Sequence, residues 1–147
     1  MSDATSLLYS YSALFGLSIL AATVVPMSSE PPLIYLVATE QHVVLPVLVG
    51  TVGNVLGACT TYWISRRAAQ ALAEKRNKPA RGHARAAGML RRYGQPALLL
   101  SWVPILGDAL VAIAGATRMH FGAFCLWVSL GKGLRYLAIA LATLNLL

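Results

Sequence analysis

Apolar residues run through this chain in four long stretches, at 4–29, 31–65, 93–117 and 119–147, with polar residues as punctuation. Residues 4–29 and 41–65 carry no Asp, Glu, Lys or Arg at all. A helix crossing the hydrocarbon needs about 20 mostly apolar residues, and each stretch has at least that many. The pattern therefore predicts an all-α integral membrane protein. Two of the stretches are broken. The first runs into Pro26-Met27-Ser28-Ser29-Glu30-Pro31-Pro32, and the third holds Trp102-Val103-Pro104-Ile105-Leu106-Gly107-Asp108 in its middle. Proline removes a backbone donor and clashes with the preceding turn. Irregular backbone at membrane depth survives only under protein cover or against a wet cavity. Both broken stretches read as re-entrant hairpins, with breaks at Pro26, Pro104, Gly107 and Trp102.

The breaks are related to each other. Shifting the sequence by 78 residues brings Pro26 onto Pro104, Glu30 onto Asp108, and Ala38-Thr39-x-x-His42 onto Ala116-Thr117-x-x-His120. The same shift pairs Phe15-Gly16 with Tyr93-Gly94, Gly53 with Gly131, Asn54 with Lys132 and Leu56 with Leu134. The expected organisation is one membrane domain over 1–147. Its first repeat covers about 4–65, a basic loop follows at 66–92, and a second repeat covers about 93–147. A hairpin that returns to its own side, followed by one full span, makes the two repeats inverted. Transporters of that build bind their substrates near the midplane.

Composition strengthens the membrane reading. The chain is 57% hydrophobic and 12% charged, with a mean hydropathy of +0.64. Soluble domains are about 45–50% apolar and 25% charged. The net charge of +7 is concentrated: nine of the twelve Lys and Arg fall within 66–92. Lys and Arg mark cytoplasmic loops, so this segment faces the cytoplasm and a nucleic-acid partner is not expected. Asn77-Lys78-Pro79 divides it into a continuation of the second span and a short second helix. Arg81, Arg85 and Arg92 lie near one face of that helix, suited to anionic headgroups. Tyr62 and Trp63 are expected in the aromatic belt at this interface. Cys59 and Cys125 lack metal or redox spacing and read as small packing residues.

Charges within a span cost on the order of 3 kcal/mol each at the centre, so they need a reason. Glu30, Asp108, Lys132 and Arg135 are the candidates for a substrate and proton pathway, with Asn54 as a polar lining residue. Glu30 and Asp108 are too short to reach an interface, whereas Lys132 has a stem that can snorkel. Arg135 can grip a phosphate through its planar fork. Amides freed at the breaks would favour an anion. Gly50-x-x-Gly53-Asn54-x-x-Gly57 forms a small-residue face for close helix packing. His42 and His120 are expected at hairpin ends. The sequence offers no metal cluster, no cofactor motif and no nucleophile–base arrangement, so an enzyme is not expected.

Arg91-Arg92-Tyr93-Gly94, Ser101-Trp102-x-Pro104-x-x-Gly107-Asp108, Ala114-Gly115-x-x-Arg118 and Gly131-Lys132-Gly133-x-Arg135-Tyr136 resemble the short YqaA-type branch of the DedA (VTT-domain) membrane proteins. Pro26-x-Ser28-x-Glu30 and Gly53-Asn54-x-x-Gly57 extend the likeness over most of the chain. The resemblance implies two re-entrant hairpins, a bacterial inner-membrane location, dependence on the proton motive force, and translocation of polyprenyl phosphate or phospholipid. The general family pattern is Arg-Phe-x-Pro-x-x-Arg. Here Trp102 stands for the aromatic and Gly107-Asp108 for the second arginine, a departure that bears on substrate rather than fold. A proton-coupled flippase for an anionic lipid is the leading expectation, and a homo-oligomer is compatible with it. The alternatives are a non-transport assembly or envelope-maintenance factor, and an exporter of small solutes or drugs.

Overall fold

The computed structural model describes residues 2–23, 29–40, 42–75, 92–103 and 106–146. Regular structure among them is helical: α1 (Ser2–Ala21), α2 (Glu30–Glu40), α3 (Val44–Lys75), a 3₁₀ helix (Gln95–Trp102), α4 (Leu106–Ala116) and α5 (Phe121–Asn145). Pro26, Pro104 and the expected second helix of the basic segment (apart from Arg92) lie outside the described residues.

Proline chemistry sets the helix starts. Glu30-Pro31-Pro32 opens α2, where a first-turn N–H has no intrahelical acceptor and a fixed φ favours the helix. Glu30 also complements the positive end of the helix dipole. The two prolines carry no N–H, so this end offers fewer amides to an anion than the sequence reading assumed. The 3₁₀ helix has a related cause. Pro104 has no N–H to give the Leu100 carbonyl in the α pattern, and the Val103 amide takes that carbonyl instead, at 3.0 Å. The segment aligned with it by the 78-residue shift is mostly α-helical, in α1. Gly94 caps the 3₁₀ helix at φ +66°, a conformation that favours glycine. A Schellman-type turn closes α4, with Met119 N–H donating to the Ala114 carbonyl and Arg118 in the left-handed region.

Among the described residues two helices are long and apolar enough to cross a bilayer, Val44–Leu72 of α3 and Phe121–Asn145. Only a third of the most apolar window of each is buried within the protein. A soluble core helix would hide most of its surface. On α5 the outward residues Leu126, Leu130, Leu134, Leu137 and Leu141 form a helical stripe, and Leu45, Leu48, Val52 and Leu56 do so on α3. Such apolar surface suits lipid and not water.

The chain divides into two compact units, Met1–Gly57 with Lys132–Leu147, and Ala58–Gly131. Both boundaries fall inside long helices. In the first unit Leu14, Leu33, Leu36, Val37, Tyr136 and Ala140 form the core. The glycine face of α3 packs there as expected. A Cβ on Gly53 would meet the Phe15 carbonyl oxygen at 2.8 Å, and one on Gly57 would strike the Ile19 carbonyl and lie 2.8 Å from Ala22 Cβ. Gly57→Ala is therefore expected to destabilise the protein by about 1–3 kcal/mol, as overpacking does. Gly16 has open space around it, so Gly16→Ala should be neutral or stabilising by up to about 1 kcal/mol. Thermal unfolding in detergent micelles compares the two.

The second unit is built on aromatics. Tyr62 packs against Phe124 at a tilt, with ring centroids 4.6 Å apart, and Phe121 and Trp63 complete the cluster. Tyr62 is 0% exposed and its hydroxyl donates to the Met119 carbonyl. This corrects its expected place in an interfacial belt: its polar tip finds a partner inside the protein, which removes the need for headgroups. Trp63 remains half-exposed, with Arg66 over its ring.

Candidate functional site

In the first unit four chain segments converge on one phenol. Tyr136 of α5 accepts a hydrogen bond from Asn54 Nδ2 of α3 at 3.1 Å and donates to Ser18 Oγ of α1 at 3.2 Å. Ser29, just before α2, lies 2.5 Å away from the same oxygen. A phenol donates once and accepts about twice, so Ser29 is the donor of this third bond. All four side chains are buried. In hydrocarbon a hydroxyl or amide has no water to turn to, and a shared partner is the physical answer. Asn54 Oδ1 is buried without a hydrogen bond, which leaves one acceptor open at this hub.

The charged pair is fixed by the neighbouring residues. Glu30 follows Ser29 and Arg135 precedes Tyr136, and Arg135 Nη2 donates to Glu30 Oε1. Residues 29–30 thus hold residues 135–136 by two adjacent bonds, one neutral and one ionic. The pair is less secluded than the hub, with the Arg135 side chain 28% exposed and that of Glu30 41%. An ion pair open to a polar solute can exchange partners, because the solute supplies the charge that a departing partner removes. Lys132, one turn before Tyr136 on α5, is only 5% exposed. That corrects the snorkelling expectation: its stem is held within the protein. At the far end of α2, Glu40 Oε2 accepts from the Tyr11 hydroxyl at 2.5 Å, while Oε1 is buried without a partner.

In the second unit Asp108 lies in the first turn of α4 and is half-buried. Gly107 is buried, its amide donating to the Val103 carbonyl at 2.8 Å, and a Cβ there would strike the Ser101 carbonyl. Trp102, the last residue of the 3₁₀ helix, is half-exposed. His42 and His120 both fall just before the long helices and are exposed.

Glu30 and Arg135 are therefore brought into contact, and Asn54 joins them through Tyr136. Tyr136, Ser18 and Ser29 were missed by charge-based reasoning. Two of them had a sequence signal: they adjoin the charged residues singled out, and each is polar in an apolar setting. Ser18 had none beyond being a hydroxyl in an uncharged helix.

The VTT domain family profile matches residues 18–144. The chain is 39% identical over 146 residues to the inner membrane protein YqaA of Escherichia coli, covering 99% of this chain and 96% of that one. The Shigella flexneri protein of the same name matches equally. A Haemophilus influenzae protein is 37% identical over 134 residues, 86% of this chain and 82% of its own. No solved structure matches the chain.

Proposed function

The chain belongs to the VTT-domain (DedA) family and is an inner-membrane protein, and from that premise we propose that it moves an anionic, phosphate-bearing lipid across the bilayer in a proton-coupled manner. The observation that carries this reading is the Glu30–Arg135 pair at the start of a short helix, in a chain with so few charges. A phosphate displaces Glu30 from Arg135 and takes both of its forked donors. The released Glu30 carboxylate, left without its cation, binds a proton. When the phosphate leaves, Glu30 gives up the proton and returns to Arg135, which neutralises the empty site. Substrate and proton thus bind together and leave together at one ion pair. Asp108 takes the matching role at the second hairpin, and Asn54 and Lys132 line the path.

The hairpin and inverted-repeat topology belongs to the same proposal. It is supported by the lengths of α2 and α4, each 11 residues and thus about 16 Å, roughly half the hydrocarbon thickness. The corresponding helix starts support it too: Glu30 opens α2 and its counterpart Asp108 lies in the first turn of α4. Thr39 and Thr117, at the far ends of these helices, are both exposed. In a background lacking Cys59 and Cys125, Thr39→Cys is expected to label from outside and Thr117→Cys from the cytoplasm. Four simple spans place both positions outside, so labelling of Thr117→Cys from outside would refute the hairpins, and Thr39→Cys serves as the control that fixes the outer side.

The functional test uses purified protein in liposomes with a fluorescent anionic phospholipid. An imposed pH gradient is expected to accelerate lipid movement over its absence. Movement that ignores the gradient would leave passive scrambling only.

A further inference from the structure

Cys59 of α3 and Cys125 of α5 are 66 positions apart in sequence, yet their Sγ atoms lie 4.0 Å apart and both are free thiols. We propose that this pair forms a two-thiolate binding site for a soft monovalent cation of the Cu(I) class, separate from the proposed lipid path.

The separation selects the chemistry. A disulfide needs a sulfur–sulfur distance of about 2.05 Å, so the sulfurs would have to close half of the present gap. A metal–thiolate bond is about 2.3 Å, so a widening of the gap by only about 0.6 Å gives the linear S–metal–S geometry that a two-coordinate monovalent ion prefers. Zinc wants four ligands, and no group of three or more His, Cys, Asp or Glu is gathered among the described residues. The site therefore suits an ion satisfied by two or three soft ligands, and thiolates select Cu(I).

The surroundings hold the two helices together at this point. Tyr62, one turn beyond Cys59, packs on Phe124, the neighbour of Cys125, so an aromatic contact joins α3 to α5 beside the sulfurs. Phe121, one turn before Cys125, packs on the same Tyr62 ring. Binding releases two thiol protons and leaves a complex of two thiolates and one monovalent cation, with one net negative charge. Arg66 lies two turns beyond Cys59 on the same side of α3, about 10 Å along the axis. It is held there by the Tyr62 hydroxyl at 3.2 Å and the Trp63 ring, and its charge offsets that of the complex. The basic end of α3 also sets the compartment. It is the cytoplasmic end, where thiols stay reduced and available to metal.

The test is anaerobic titration of the purified wild-type protein in micelles with Cu(I), against a competing chromophoric chelator. One Cu(I) per chain is expected, with two sulfur ligands by X-ray absorption and with both cysteines protected together from N-ethylmaleimide. Cys59→Ser and Cys125→Ser should each weaken binding about 100-fold or more, because the second thiolate acts at high effective concentration. Cys→Ala replacements at the same positions check that the loss is one of ligation, since serine and alanine should then behave alike. Two ions per chain, single variants that bind like wild type, protection of one cysteine alone, or an unliganded protein at one equivalent would each overturn the site.

Discussion

Replacing Arg135 with alanine is expected to abolish pH-driven lipid movement, with a loss of about 100-fold or more, since hydrogen bonds to charged groups contribute about 1.5–3 kcal/mol each. The headgroup phosphate is negatively charged and its desolvation is severe, so the group that offsets it governs the barrier. Arg135→Lys keeps the charge but loses the planar fork, and a drop of about 10-fold is expected from one lost charged hydrogen bond. Glu30→Gln keeps the size and a hydrogen-bonding oxygen while removing the charge and the proton site. The variant should accumulate as folded protein, because a pair this exposed contributes little to stability, about 0–1 kcal/mol. Its lipid movement should become slow and insensitive to the pH gradient. Asp108→Asn is expected to act in the same direction. The readouts are initial transport rate with and without the gradient, set beside the thermal unfolding midpoint. If unfolding and activity fall in parallel for Glu30→Gln, the pair is a brace, and the assembly-factor reading replaces transport.

The largest loss of stability is expected at Tyr136. Tyr136→Phe removes one oxygen and leaves Ser18, Ser29 and Asn54 without their shared partner. Side-chain hydrogen bonds inside a membrane protein contribute about 0.6 kcal/mol on average and up to about 1.7, so three of them amount to about 2 kcal/mol. Tyr136→Ala also empties the space its ring fills beside Gly50 and within the Leu14–Leu33–Leu36 core, and about 3–5 kcal/mol is expected. Unfolding by denaturant in micelles measures both. The two predictions are opposite in kind: Glu30→Gln should spare stability and remove gradient dependence, whereas Tyr136→Phe should lower stability and keep a residual gradient dependence. A Tyr136→Phe protein as stable as wild type would mean that the hub contributes nothing to the fold.

Much of this protein follows from its sequence alone. The uncharged runs at 4–29 and 41–65 demand a hydrocarbon solvent, whatever the chain packs against. Proline dictates where helices start because the missing N–H is a local fact, and α2 accordingly begins at Glu30-Pro31-Pro32. Charged residues in an apolar chain stand out for a similar reason, as Glu30 and Arg135 do. Pairing was not legible. Arg135 could have met either acid, and only the packing of α2 on α5 joins it to Glu30. Neutral polar residues were less visible still. A tyrosine or serine within a span is common, and its importance depends on which other buried groups lack a partner, as Ser18, Ser29 and Asn54 do without Tyr136. Tyr62 shows the converse, since its sequence setting fits an interface and only the Met119 carbonyl nearby explains its burial. The two cysteines are the extreme case: local spacing reports nothing when helix packing alone closes 66 residues to 4.0 Å. The hydrophobic pattern selects the solvent and the elements because these depend on each residue's own chemistry. Tertiary structure decides the partners because a buried polar group is satisfied by what faces it across a helix interface.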